Sequence, residues 1–449
     1  MLVNRLVMLS FGLWAGAGAC QCQQIDGPAP DVQSAPPAAG RTWSLHFQAT
    51  SIGQQHGWFP SFYEGVNSLP SHPEHRVSVT GTIFLNFRLN QHWDFVVDPE
   101  IAGGKGFGAV TGIAGFTNGE IPRVATATPT LYLARGYVRY TIPIGGQVEH
   151  VESAPNQAPG VAPVSRFCSI TGKFAVTDFL DNNSYSHDPR TQFMNWSLMY
   201  NGAWDYPADV RGYTIGTLQE LEMRNWAFRA ANVLEPTVAN GPTLDTRIGR
   251  NRGLAVESER RHSIAGRHGA VRLLAFQNKQ HAGTYREALH LSSVAPTLDV
   301  TRRDGVNKYG FGLNLEQQLS ENAGMFGRYG WNDGKTESWA FTEIDRSLSG
   351  GISLKGARWD RHNDTLGLAS VRNYLSGDHR AFLAAGGYGF IIGDGRLNYR
   401  PEQIVECYYA VPLKAGWTVT GDFQRITNPA YNRDRGPVSV ETIRLHWER

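Results

Sequence analysis

From Thr42 onward the chain alternates with a period of two. Trp43, Leu45 and Phe47 fall on one parity and Ser44, His46, Gln48 and Thr50 on the other, as in a strand with one apolar and one wet face. The next run is longer. Val77, Val79, Gly81, Ile83, Leu85, Phe87 and Leu89 interleave with Ser78, Thr80, Thr82, Phe84, Asn86 and Arg88, and only Phe84 is out of step. Helical periodicity would scramble this order. Similar runs occupy Trp93 to Ile101, Tyr309 to Leu319 and Ile443 to Trp447. Gly145-Gly146, Gly350-Gly351, Gly393-Asp394-Gly395 and Asn432 to Pro437 supply turn signals between strands. With 50 Gly and 17 Tyr, 21 Phe and 12 Trp, the predicted class is all-β.

Alternation alone does not say which face is the core. In a soluble sandwich the apolar faces meet each other, whereas in a membrane barrel they meet lipid and the polar faces line a lumen. Three features favour the barrel. The runs are about ten residues long, enough to cross a bilayer when tilted. Rings gather at strand ends (Trp43, Trp58, Phe59, Trp93, Tyr408, Tyr409, Trp417, Trp447), which suits interfacial girdles. The chain also finishes on a strand that can close on the first and abolish both edges. Residues 42–449 divide into strand-plus-connection units of about 25 residues, which predicts a single transmembrane antiparallel β-barrel of 14 to 18 strands with a water-filled lumen. A soluble sugar-binding β-sandwich remains the alternative.

Residues 1–19 read as a signal peptide: Arg5, the apolar stretch Leu6 to Ala17, then Ala17-Gly18-Ala19. The mature chain would begin at Cys20, where ordinary cleavage is favoured over lipid attachment. Residues 20–41, rich in Gln, Pro and Ala, form a flexible leader. Cys22, Cys168 and Cys407 complete a set too scattered for a disulfide framework. A net charge of +2 with 18% charged residues argues against a nucleic-acid partner. The seven lysines are outnumbered by 35 arginines, so most cations here are planar, multi-donor forks.

The inward parity is ionic. Asp94, Asp98 and Glu100 share one strand, Arg135 and Arg139 another, and Lys173 lies on a third. Glu220, Glu222 and Arg224 form a row, after which Trp226 and Phe228 on the same parity imply a bulge near Asn225. A pore selecting one sign of ion would carry rings of one sign. Mixed Arg and carboxylate instead offer fixed donors and acceptors to neutral polyhydroxyl solutes. The carboxylate pairs Asp98/Glu100 and Glu220/Glu222, about 7 Å apart by twice the strand rise, also permit a glycoside-active enzyme. His72-Pro73-Glu74-His75 lacks helical zinc spacing. Neither a metal nor another cofactor is expected, and Asn195 is expected on a strand.

The stretch Thr171 to Tyr185, TGKFAVTDFLDNNSY, continuing through His187 to Asn195, HDPRTQFMN, resembles the signature of the OprB family of carbohydrate-selective outer-membrane porins. Asn398 to Tyr409, NYRPEQIVECYY, with Asp422-Phe423-Gln424 and Asn428 to Asn432, is similar to that family's closing hairpin. The likeness spans roughly Trp43 to Trp447. It departs from the family in Glu448-Arg449 after the final aromatic and in Cys407 on the lipid side. The resemblance implies a 16-stranded barrel in a Gram-negative outer membrane that passes glucose and related sugars by passive diffusion, with outer-membrane lipid and mono- or oligosaccharides as partners. Monomer and homotrimer both stay open. Asp178 joins Glu100, Arg135, Arg139 and Lys173 as candidates for the constriction, with Glu220, Glu222 and Arg224 along the channel.

Overall fold

The computed structural model describes residues 42–120 and 128–449. The signal segment, the leader and Cys20 with Cys22 lie outside the described residues. Eighteen strands are present among them: β1 (Trp43–His56), β2 (Glu74–Arg88), β3 (Trp93–Gly104), β4 (Thr130–Pro143), β5 (Val148–Val151), β6 (Gly160–Pro163), β7 (Arg166–Phe174), β8 (Thr214–Met223), β9 (Trp226–Val233), β10 (Arg252–Ile264), β11 (Arg267–Ala282), β12 (Arg303–Ser320), β13 (Ala323–Asn332), β14 (Arg346–Gly356), β15 (Arg361–Tyr374), β16 (Glu402–Pro412), β17 (Trp417–Thr427) and β18 (Val438–Glu448). Sixteen of them form one closed antiparallel barrel in chain order, and β5 pairs with β6 in a separate hairpin. Among the described residues three α-helices lie in the connections: α1 (Trp196–Met199), α2 (Tyr285–Leu291) and α3 (Gly377–Ala384).

The barrel closes where β18 pairs with β1, with Glu448 opposite Gln48. Arg449 and Phe47 then exchange backbone hydrogen bonds of 2.8 and 2.9 Å, so the residues beyond Trp447 extend the seam. The period-two pattern is the barrel wall. On β2, Val77, Val79, Ile83 and Phe87 are exposed, while Ser78, Thr80, Thr82 and Asn86 are buried. Phe84, the exception to the alternation, is buried on the inner parity too. Tyr309, Phe311, Leu315 and Leu319 give β12 the same apolar exterior. Trp93 with Tyr140 and Trp417 with Trp447, at centroid separations of 4.5 and 6.3 Å, mark one rim, as an interfacial girdle does.

Two local expectations are corrected. Gly350-Gly351 is not a turn but lies within β14. A Cβ at Gly351 would stand 2.6 Å from Phe326 Cε1 and from Ala369 Cβ, so glycine there makes room for the buried Phe326 ring. The parity change near Asn225 is a two-residue turn between β8 and β9, with Met223 opposite Trp226, and not a bulge.

Connections alternate between the rims. Long ones, such as 57–73, 175–213 and 375–401, sit at one end; short ones, such as 224–225 and 265–266, sit at the other, together with the β5–β6 segment. The longest, 175–213, folds into the barrel. Its Trp196 stacks on Phe116 and Phe341 at 4.9 and 4.7 Å, and these rings pack against the inward-facing Phe174, Leu218, Leu274 and Phe276. Part of the lumen is therefore a packed apolar core. Asn195, expected on a strand, caps α1 by accepting from Ser197 N.

Buried charges hold this loop and the neighbouring connections in place. Glu406 on β16 accepts from Met194 N and Asn195 N at 2.6 and 3.0 Å. Glu402 accepts from Ala114 N, Gly115 N and Ala430 N at 2.8 to 2.9 Å. Arg328 donates to Asp181 and to the Leu198 carbonyl, and Arg444 to the carbonyls of Pro189 and Gln192. Each carboxylate satisfies N–H groups that an irregular loop inside a barrel would otherwise leave unpaired.

Candidate functional site

The inward loop meets the wall at Arg135. On β4, Leu131 and Leu133 face outward, and the register slips opposite Asp98-Pro99 of β3. This bulge turns Arg135, Tyr137 and Arg139 to the lumen. Arg135 grips Asp178, just beyond β7, in a two-pronged pair: Nε donates to Oδ2 at 2.7 Å and Nη2 to Oδ1 at 2.5 Å. Its Nη1 lies 3.5 Å from Asp98 Oδ2. Such charge-assisted forks fix geometry as well as charge. Asp178 also accepts from Ala175 N at 3.1 Å.

Tyr213 lies beside this pair, its ring centroid 5.4 Å from the Arg135 guanidinium carbon. Its hydroxyl donates to Glu100 at 3.1 Å, and the Tyr132 hydroxyl donates to the same carboxylate. Arg190, from the inward loop, bridges Glu100 at 3.2 Å and Glu120 at 2.7 Å. Exposure separates the roles: the Glu100 side chain is 4% exposed, against 15% for Arg135 and 23% for Asp178. Glu100 anchors the tyrosines and Arg190, whereas Arg135 and Asp178 are within reach of a solute.

Lys173 departs from its expected place. It takes the parity opposite to the buried Ile170 and Phe174, and joins the group through its length, with Nζ 3.5 Å from Asp209 and 5.8 Å from the Tyr213 ring. Arg139 faces the lumen, donates to the Tyr137 hydroxyl at 3.3 Å, and makes no ion pair among the described residues.

Glu220 and Glu222 belong to a second group, a ladder across β8 to β12. Arg229 lies 2.7 Å from Glu220, 3.5 Å from Glu222, 3.2 Å from Glu257 and 2.9 Å from Glu259. Arg261 joins Glu222 to Glu259, and Arg272 joins Glu259 to Glu316 at 3.0 and 3.2 Å. Arg224 is not in this row. It is exposed in the turn after β8, and its carbonyl accepts from Arg261, because the strand ends at Met223 before the parity can carry it inward.

Within the inward loop, burial pushes the His187 imidazole down to about 4, and the nearby Arg328 guanidinium adds to the shift. The ring is neutral at physiological pH and packs edge-on against Tyr200 at 5.1 Å. Among the described residues no group of three or more His, Cys, Asp or Glu could hold a metal ion.

Parity placed Asp98 inward but could not reveal its pairing with Arg135. Glu120, Asp209 and Tyr213 carried no usable signal, since they lie outside the strands, where period two says nothing; Arg190 lay in the family-like stretch 187–195 but its place beside Glu100 was not legible there. Arg229 was missed although it sits directly opposite Glu220, because a bulge was expected near Asn225; a two-residue turn at 224–225 would have set this Arg across from the carboxylate.

A family model described as "Carbohydrate-selective porin, OprB family" matches residues 97–448. The high-pH structure of Pseudomonas putida OprB is 14% identical, with a TM-score of 0.66 over 90% of this chain and 94% of that one. The outer membrane channel DcaP of Acinetobacter baumannii is 9% identical, with a TM-score of 0.51 over 91% of this chain and 97% of that one. At these identities the two structures speak to the fold. No curated protein sequence matches the chain.

Proposed function

Since the chain belongs to the OprB family of carbohydrate-selective porins and is a Gram-negative outer-membrane barrel, we propose that glucose and related neutral sugars diffuse passively past Arg135 and Asp178. The observation that carries this reading is the accessible, mutually neutralised Arg135–Asp178 pair beside the Tyr213 ring. Matched donors and acceptors satisfy hydroxyls without favouring either sign of ion, and an aromatic face suits sugar C–H surfaces. Residues 1–19 direct export in this proposal, and 20–41 act as a leader.

The glycoside-cleaving alternative loses its motivation, because Glu220 and Glu222 are both engaged by guanidinium groups. We read them as part of the wall. Proteoliposomes holding the purified chain should swell faster in glucose than in a charged solute of equal size. Equal rates would refute selectivity for neutral sugars.

A further inference from the structure

The segment 144–165 is the one long connection at the short-turn rim, and it does not stay outside the barrel. Its base is the β5–β6 ladder, reinforced by Arg166 and Glu149 at 3.2 Å. Its tip, Ala154 to Gln157, is a tight turn closed by reciprocal backbone bonds of 3.2 and 3.0 Å. Pro155 precedes Asn156, which has φ of 60°, the arrangement a type II turn requires.

From that turn Asn156 Nδ2 donates to Asp98 Oδ2 at 2.9 Å. Asp98 lies five residues along β3 from Trp93, about 16 Å from the rim along the strand. The tip is therefore well inside the lumen. Other inward side chains hold it there: Arg88 on β2 donates to the Pro159 carbonyl at 3.4 Å, His46 on β1 lies 2.9 Å from Ser153 Oγ, and Ala158 is fully buried.

Two elements thus meet at one arginine, the 175–213 loop from one mouth through Asp178 and the 144–165 segment from the other through Asn156 and Asp98. At that junction Asn156 Oδ1, Asp98 Oδ1 and Arg135 Nη1 are buried without a hydrogen-bond partner among the described residues, Nη1 keeping only its 3.5 Å ionic contact with Asp98. Unused acceptors on Asn156 and Asp98 beside an Arg135 donor that makes an ionic contact but no hydrogen bond are the complement of a hydroxyl group, which both gives and takes a hydrogen bond.

We infer that 144–165 is a second constriction element, and that Asn156 with Arg135 forms a hydroxyl-binding step for neutral polyols at the short-turn side of the passage. The inference deepens the porin reading and rests on it. In family barrels the short turns face the periplasm, so this step would be the last before release inward.

The test uses the full chain in planar bilayers, with glucose titrated against the KCl current. Asn156→Gly keeps the left-handed backbone and deletes the amide. It should weaken glucose block about 2- to 12-fold, the worth of one hydrogen bond. Replacing 147–164 by a two-residue turn should raise the conductance itself. If glucose blocks the parent channel but blocks Asn156→Gly equally, the binding step is overturned. If the shortened chain inserts and conducts as the parent does, the second constriction is overturned. Should the shortened chain fail to insert, the Asn156→Gly titration alone decides. A parent channel indifferent to glucose would instead overturn the porin reading and, with it, this step.

Discussion

Asp178→Asn removes one negative charge from the passage and keeps the side chain's shape. Arg135 loses its two-pronged carboxylate partner at 2.5 and 2.7 Å and keeps only Asp98, at 3.5 Å. The guanidinium is then incompletely neutralised. An ion passing about 5 Å from it feels about 0.8 kcal/mol at the permittivity of water and about 3 kcal/mol at an effective value near 20. With Arg135 15% and Asp178 23% exposed, the site is partly wetted and the lower end governs. We expect about 1 kcal/mol, roughly a fivefold gain in anion occupancy and an equal loss for cations. At 0.1 M salt the Debye length is about 10 Å, so screening leaves most of the effect in place.

The assay is the reversal potential across a bilayer under a KCl gradient. The variant should shift toward chloride selectivity, and its glucose block should weaken as a charged acceptor becomes a neutral one. A variant that inserts normally yet keeps the parent's reversal potential would show that ions do not pass near Arg135. The proposed route would then have to run elsewhere in the lumen.

Two further predictions concern stability. Ile83 lies in the middle part of β2 on the outward parity, so Ile83→Arg should cost about 2–4 kcal/mol in lipid, read from equilibrium unfolding in bilayers; a neutral result would place solvent there. In the 375–401 connection, His379 sits 3.0 Å from Asp345 and 3.7 Å from Glu343. Burial alone would lower its pKa, but the two carboxylates hold it up to about 9. A folded-state pKa above the ordinary value of about 6.5 means stabilisation that is complete below that value and lost as pH rises through 9. Protection of α3 from proteolysis should therefore fall between pH 7 and 9.5 and become pH-independent in His379→Gln. Parent protection that is flat across this range would refute the pairing.

The wall was legible because hydrocarbon imposes one requirement on every outward position, so Val77, Val79, Ile83 and Phe87 on β2 and Tyr309 and Phe311 on β12 repeat a single rule. Inward positions obey no such rule. Leu218 and Phe276 are inside because loop residues cover them, and what a loop covers depends on contacts far away in the chain. Glu406 holds Met194 N across 212 residues, joining the two family-like stretches that the sequence displays only as separate motifs. The candidate site divides along the same line. Arg135 and Asp178 meet because a bulge turns one inward and a loop returns the other to it, whereas Lys173, on the opposite parity, reaches the group only by its length. Arg224 had the right spacing and failed because its strand stopped one residue earlier. Period two thus identifies the side of the wall on which a charge stands. Which of those charges a solute meets is decided by irregular segments such as 144–165 and 175–213, whose course is set by hydrogen bonds to buried carboxylates and guanidinium groups and not by any local pattern.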